Sequence, residues 1–192
     1  GVKALELWNE LYHLQKFAQF SLSHDLGFMS QTVAMIMDGP WNLPRYRTIE
    51  NFEWMVAELP SGPEAQITYM GGEHLVIFKQ SVNPDQAWKF VKWVIDPGVQ
   101  ARFSINSGYL PVRRATLNIP SYSAHLQNDQ ALQVFVREMN SARTREMPDS
   151  HRAEFNRLIA RAIEETIIGG KNPVNTLRSA ARDFDITIRN HK

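Results

Sequence analysis

Three short apolar runs constrain the fold of this 192-residue chain more than any other feature. They occupy residues 33–37, 54–59 and 75–78, and turn sequences such as Asp38-Gly39-Pro40 follow the first two. Short apolar runs bounded by Gly and Pro are typical of strands in the interior of a protein. We therefore predict three strands, the first of which is apolar on both faces and is expected to lie buried in a sheet.

Helical patterns precede, separate and follow these runs. The first helix is expected to end near Phe20, and another to begin at Pro84 and stop before the Asp96-Pro97 pair. A short helix with Phe103 on its inner side should end at Gly108, in a left-handed cap. Further helices are predicted over 131–139, 153–168 and from 172 onward. Strands that alternate with helices and precede a helical tail predict an α/β fold.

Composition excludes several classes of protein. Lys and Arg total 21 against 20 Asp and Glu, and this net charge of +1 gives no indication of a nucleic-acid partner. The chain has no Cys, so it forms no disulfide and carries no thiol nucleophile. No run approaches the roughly 18 apolar residues of a membrane-spanning helix. Because the sequence opens within a helical pattern, we expect it to be part of a longer chain.

Local catalytic motifs are absent from the sequence. It contains no G-x-S-x-G, G-x-x-x-x-G-K-[ST], H-E-x-x-H or G-x-G-x-x-G pattern. The six His residues are scattered, and the neighbouring Glu73 and His74 would point to opposite faces of a strand. The Glu164-Glu165 pair fits a solvated helix face. We therefore expect neither an enzyme, nor a metal site, nor a cofactor.

Candidate binding residues lie instead at the ends of the predicted elements. Trp41 and Asn42 follow the first strand, where α/β sheets commonly bind ligands. An indole in this position stacks on a sugar ring while the amide bonds its hydroxyls, although a core tryptophan explains Trp41 equally well. Gly71 and Gly72 let backbone N–H groups approach a ligand, and Glu73 accepts from hydroxyl groups. A plain turn is the alternative for the glycine pair.

Two further candidates lie later in the chain. Tyr109 follows the glycine cap and offers a phenol, unless it only packs on its apolar neighbours. Arg143, together with Arg145, is able to reach an anionic or polyhydroxylated group, although arginine on a loop is more often solvated.

Six segments in this order resemble the C-terminal half of the extracellular solute-binding proteins of sugar ABC importers. This family includes the maltodextrin-binding and glycerol-3-phosphate-binding proteins. The terminal IIGGKNPVNTLRSAA (167–181) is similar to the last pair of helices of the family. The six segments are VAMIMDGPW (33–41), AELP (57–60), GGEHLVIFK (71–79), AWKFVKWV (87–94), QARF (100–103) and SGYLPV (107–112).

The resemblance implies a periplasmic-binding-protein type II-like fold, in which two lobes close on a ligand. By analogy, residues 1–65 and the helical 115–192 belong to the second lobe, and 66–114 cross to the first. Without the first lobe, the crossing segment is expected to expose Val76, Phe78, Phe90 and Val94 and to favour self-association. The implied partner is the permease of an importer, and the implied location is periplasmic or extracellular, with or without a lipid anchor.

Carried over by position, Trp41 matches the cleft tryptophan of the family, and Gly71 and Gly72 match its ligand-facing glycines. Tyr109 and Arg143 match residues of the glycerol-phosphate binders. Because Glu73 would repel a phosphate, a neutral sugar or polyol is the favoured ligand. The alternatives are a phosphorylated polyol, a carbohydrate-active enzyme, and a fragment without a competent site.

Overall fold

A computed structural model describes residues 1–19, 23–144 and 151–190. The described part of the chain is mainly helical and separates into two compact units. The first unit comprises residues 1–34 and 146–192, and the second comprises residues 35–145. The helices are α1 (Val2–Asn9), α2 (His24–Met29), α3 (Leu43–Tyr46), α4 (Pro84–Val94), α5 (Pro97–Ser107), α6 (Pro120–Gln127), α7 (Gln130–Glu138), α8 (Arg152–Ile167) and α9 (Pro173–Asn190).

In the first unit, α8 packs along α9, and α1 packs against both. Leu158, Ala162 and Ala180 form the buried core between the two long helices. The hydroxyls of Thr166 and Thr176 share a buried hydrogen bond of 2.8 Å, which satisfies two polar groups that would otherwise be costly to bury. The first unit is therefore a small helical bundle whose apolar core contains one internally satisfied pair of hydroxyls.

The first helix ends earlier than the sequence predicts. After α1, residues Glu10–Leu14 form one π-helical turn, and Lys16 takes a left-handed conformation with φ of 56°. A non-glycine residue in this region stops an α-helix, which accounts for the early end. Phe20, where the helix was expected to finish, lies outside the described residues.

In the second unit, the core is formed by Leu43 of α3, Ala101 of α5, Tyr122 of α6 and Leu132 of α7. Half-buried side chains of the segment 54–59 pack against this core, among them Trp54. The same segment is tied to α7, because the backbone N–H of Leu59 donates to Glu138 Oε1 at 2.8 Å. The core thus holds α3 and α5, the elements next to the candidate residues Trp41 and Tyr109.

The prediction of three strands is wrong, because none of the three apolar runs forms a hydrogen-bonded strand in the described residues. No strand is assigned over 33–37, 54–59 or 75–78, and the one sheet in the described residues joins β1 (Thr68–Tyr69) to β2 (Ala142–Arg143) in parallel. The expected burial of the first run is wrong as well, since Met35 is 86% and Met37 74% exposed. An apolar run favours a strand but does not supply the second strand that a hydrogen-bonded ladder requires. Within the described residues, none of these runs pairs with another.

The helices that carry capping signals are confirmed. Pro84 and Pro97 begin α4 and α5, and the Asp96 carboxylate accepts the backbone N–H of Gly98 at 2.9 Å at the start of α5. Gly108 ends α5 in the left-handed region with φ of 78°. Phe103 does not face inward as predicted, because its side chain is 52% exposed.

Candidate functional site

The turn that carries Trp41 is organised by the carboxylate of Asp38. Its Oδ1 accepts the backbone N–H of Gly39 at 2.7 Å, and its Oδ2 accepts Nδ2 of Asn42 at 2.7 Å. The hydroxyl of Tyr46, which is buried in α3, also donates to Oδ2. The turn is therefore fixed to the core. The side-chain amide of Asn42, which is predicted from the sequence to bond a ligand, donates one hydrogen bond to Asp38 within the protein.

The indole of Trp41 lies directly over Gly39. A Cβ atom at residue 39 would stand 2.1 Å from the nearest indole carbon, so only glycine leaves room for the ring in this position. The backbone of Gly39 has φ of −113°, which any residue can adopt, so the requirement is steric rather than conformational. With the ring in this place, Trp41 remains 48% exposed.

Gly108 brings the second aromatic residue to the first. A Cβ atom at Gly108 would stand 2.3 Å from the carbonyl oxygen of Pro40, so the cap of α5 touches the turn that carries Trp41. The next residue, Tyr109, consequently places its ring 5.7 Å from the indole, centroid to centroid, at an interplanar angle of 33°. Residues 68 positions apart in the sequence thereby become neighbours.

A third ring extends this pair. Phe103 lies on α5 with its ring centroid 6.0 Å from that of Tyr109, at an interplanar angle of 32°. We call Trp41, Tyr109 and Phe103 the aromatic cluster. Phe103 is not among the residues predicted to bind a ligand, because the sequence pattern places it on the inner side of a helix. The sequence feature that could have identified Phe103 is its distance from the cap, because it stands five residues before Gly108 and thus near the end of the helix.

Glu73 reaches the aromatic cluster from the glycine pair. The hydroxyl of Tyr109 donates to Glu73 Oε1 at 3.5 Å, and this contact is exposed. Gly72 has open space around it, since a Cβ atom added there would meet nothing within 4 Å. A Cβ atom at Gly71 would be 3.1 Å from the hydroxyl oxygen of Tyr69. The structure thus brings Trp41, Tyr109 and Glu73 together beside an accessible stretch of backbone.

Arg143 lies in β2, beside the segment that leads to the glycine pair. It pairs with Tyr69 in the parallel ladder, and its carbonyl accepts the backbone N–H of Met70 at 2.9 Å. Its guanidinium donates to the carbonyl oxygen of Ala142 at 3.2 Å, and the side chain is exposed. Its backbone is therefore fixed near the glycine pair, while no contact with the aromatic cluster is found among the described residues. Arg145 lies outside the described residues.

Two pKa shifts in the second unit have structural causes. A hydrogen bond from Arg137 Nε at 2.9 Å lowers the pKa of Glu58, and a bond from the amide of Gln66 acts in the same direction. Burial raises the pKa of Tyr122, with a smaller contribution from the negative charge of Asp129. The first shift belongs to the contact between the segment 54–59 and α7, and the second to the core.

The described residues form neither a metal-binding cluster nor a helix that could span a membrane. Over 1–19, 23–144 and 151–190, no group of three or more His, Cys, Asp or Glu side chains is arranged to hold a metal ion. No helix in these ranges is both long and apolar enough to cross a bilayer.

Known sequences give a consistent set of similarities. The family model of the bacterial extracellular solute-binding protein matches residues 1–133. A protein of Brucella abortus (strain 2308) that is named as a binding protein is 26% identical over 140 residues, which are 72% of this chain and 33% of that protein. A maltotriose-binding protein of Pyrococcus abyssi is 30% identical over 121 residues, or 60% of this chain and 26% of that protein. The match thus spans a third or less of these relatives.

Solved structures share the fold. UgpB from Mycobacterium tuberculosis, solved in complex with glycerophosphocholine, matches with a TM-score of 0.84 at 19% identity over 99% of this chain and 49% of that chain. The sugar-binding protein MalE from Xanthomonas citri matches with a TM-score of 0.79 at 24% identity, again over 99% and 49%. The predicted fold class, the C-terminal portion of a two-lobe α/β binding protein, is confirmed by these likenesses. The chain corresponds to about half of each structure.

Proposed function

Because the chain belongs to the bacterial extracellular solute-binding protein family, we propose that it is part of the substrate-binding component of an ABC importer. The component captures a sugar or polyol and delivers it to the permease in the membrane. The observation that carries this proposal is the contact between Trp41 and Tyr109, whose rings lie 5.7 Å apart on a partly exposed surface. Exposed aromatic side chains that are held in place are a common means of gripping a ligand.

The chemistry of this surface suits a polyhydroxylated ligand. The C–H faces of a sugar ring stack on an indole, and its hydroxyl groups need acceptors and donors at the edge of the stack. Glu73 supplies carboxylate oxygens, and the backbone around Gly72 is open to a ligand. Each bond of this kind contributes about 1 kcal/mol, so the affinity arises from several modest contacts together.

We propose that the protein binds its ligand and releases it unchanged, because its family is one of solute-binding proteins. A carbohydrate-active enzyme is the alternative, and turnover of a saccharide by the protein would establish it. The proposed location is the periplasm or the outer face of the cell membrane, in keeping with the extracellular description of the family. We further propose the lobe assignment of the resemblance, with residues 66–114 contributing to the first lobe.

Self-association is a further proposed interaction of the chain. Val76, Phe78 and Phe90 are each more than half exposed, and Phe90 lies 5.8 Å from the ring of Trp93, which is exposed as well. A cavity of about 450 Å³ borders this surface and is lined in part by Val76 and Phe78. Exposed apolar side chains of this kind favour association in water.

A phosphorylated polyol is the second candidate ligand. It is favoured by the structural likeness to UgpB in complex with glycerophosphocholine and by the exposed guanidinium of Arg143. Glu73 weighs against it, because a carboxylate beside a bound phosphate is repulsive. If the ligand is phosphorylated, Arg143→Ala abolishes binding, whereas a neutral sugar tolerates this substitution.

Isothermal titration calorimetry against a panel of neutral mono- and oligosaccharides tests the proposal. We expect heat from at least one saccharide, and Trp41→Ala to weaken its binding by about 1–3 kcal/mol through loss of the stacking surface. Trp88→Ala is the matched control, since Trp88 is 51% exposed on α4 and, among the described residues, makes no ring contact with the aromatic cluster. No heat from any saccharide, or equal effects of the two substitutions, would contradict the proposal.

A further inference from the structure

Glu73 is an exposed carboxylate beside aromatic rings, and none of the described residues forms an ion pair with it. Its Oε1 accepts from the hydroxyl of Tyr109 at 3.5 Å, which leaves Oε2 available. In the described part of the chain, no Lys, Arg or His nitrogen forms an ion pair with Glu73. The carboxylate of Glu73 is therefore exposed beside the aromatic cluster, and no described cationic side chain is paired with it.

The aromatic rings add to the attraction for positive charge. The face of an indole or phenol carries the negative end of a quadrupole and attracts an ammonium group within about 6 Å of the ring centre. Trp41 and Tyr109 form a tilted pair at 5.7 Å, and Tyr109 links this pair to Glu73. A cation beside Trp41, Tyr109 and Glu73 is attracted by the rings and by the carboxylate, whereas an anion is repelled by both.

We propose that Trp41, Tyr109 and Glu73 form a subsite for an ammonium group, so that the preferred ligand is a sugar or polyol that carries a protonated or quaternary amine. This inference rests on the proposed function and narrows its substrate class. Glu73 is then the residue that determines specificity, because it favours a cationic ligand over its neutral counterpart and disfavours a phosphorylated one.

A matched pair of small probes tests the subsite without knowledge of the sugar. Choline carries a trimethylammonium group, and 3,3-dimethylbutan-1-ol is its uncharged isostere. Binding is followed by the indole N–H signal of Trp41 in ¹H–¹⁵N NMR spectra, assigned by its loss in Trp41→Phe. We expect choline to shift this signal at concentrations about fivefold lower than the isostere does, from the sum of a cation–π contact and an exposed charge pair.

Substitution of the carboxylate identifies the source of the preference. Glu73→Gln keeps the size and the hydrogen-bond acceptor but removes the charge, so we expect it to reduce the preference for choline to about twofold or less. Glu64→Gln, at an exposed glutamate that forms no ion pair in the described ranges, should leave the preference unchanged. Equal shifts with choline and its isostere, no shift with either, or a preference that survives Glu73→Gln in full would overturn the proposal.

A second arm separates this inference from the function on which it rests. Glucosamine and glucose differ by one amino group, and the subsite predicts tighter binding of glucosamine in the unmodified chain but not in Glu73→Gln. Binding of neutral saccharides without any gain from an amine would overturn the subsite and leave the sugar-binding function intact. Selective binding of choline together with no binding of any saccharide would support the subsite and contradict the sugar-binding function.

Discussion

At the scale of single residues, the position of Trp41 depends on the absence of a side chain at Gly39. The indole occupies the space above Gly39, and the carboxylate of Asp38 fixes the backbone beneath it through Gly39 and Asn42. Asn42 was predicted to bind the ligand, and the structure gives it an additional role in holding this turn. A sequence shows which residues are adjacent in the chain, but not that one ring will lie on another residue two positions away.

Gly39→Ala tests this arrangement without backbone strain. The new Cβ atom would stand 2.1 Å from the indole, so the ring must leave its position above residue 39. We expect a changed NMR signal of the Trp41 indole and an affinity for the ligand that falls by up to about 1–3 kcal/mol. Gly62→Ala is the control, because its Cβ atom would make an ordinary contact of 3.7 Å. An unchanged indole signal in Gly39→Ala would show that the ring does not depend on this space.

At the scale of elements, helix boundaries followed from local chemistry and strands did not. Asp96, Pro97 and Gly108 act on the backbone within a few residues of themselves, so the limits of α5 are readable from the sequence. A strand requires a partner from elsewhere in the chain, and an apolar run contains no information about that partner. The inward position predicted for Phe103 is wrong for a related reason, since its ring neighbour, Tyr109, lies beyond the cap and is itself only half-buried.

The C-terminal cap of α5 has two separable requirements, conformation and space. Gly170 has φ of 64° and open surroundings, so Gly170→Ala should cost only the left-handed strain of about 1–2 kcal/mol. Gly108→Ala adds a clash with the carbonyl oxygen of Pro40 at 2.3 Å, so its loss of unfolding free energy in urea should be clearly larger. Equal losses for the two variants would mean that the backbone contact relaxes freely.

The contact of the segment 54–59 with α7 predicts a dependence of stability on pH. Arg137 holds the pKa of Glu58 below its usual 4.5, so the folded state binds fewer protons than the unfolded chain. The stabilisation is complete above the unfolded pKa and is lost as the pH falls through the lower, folded pKa. Between about pH 5 and about pH 3, Glu58→Gln should therefore lose less unfolding free energy than the unmodified chain.

Denaturation in urea at each pH measures this difference, and added salt should reduce it because the pair is exposed. Glu64→Gln is expected to follow the unmodified chain. If Glu58→Gln also follows the unmodified chain at every pH, the contact with Arg137 contributes nothing to stability.

At the scale of the whole molecule, the chain leaves several large apolar side chains exposed to solvent. It corresponds to about half of the solved structures it resembles, and Phe78 and Phe90 are 74% and 55% exposed. The resemblance in the sequence predicted exposure of this surface, and the structure agrees for Val76, Phe78 and Phe90, while Val94 is half-buried.

Sedimentation equilibrium over a range of concentrations tests the proposed self-association. We expect the average mass to rise with concentration, and Phe78→Ser combined with Phe90→Ser to return it toward that of one chain, because both remove apolar surface. Leu14→Ser, at a residue of the first unit that is 74% exposed, is the control. A mass that is independent of concentration in the unmodified chain would contradict the proposal.

The contact between Gly108 and the carbonyl of Pro40 has a mechanical consequence. Because the cap of α5 packs closely against the turn that bears the indole, Trp41 and Tyr109 are carried by two segments in direct contact. We expect a movement of this turn to carry both rings with it, so that the spacing of 5.7 Å is kept. In the proposed function, the two rings would therefore meet a ligand as one surface whose geometry exists before binding.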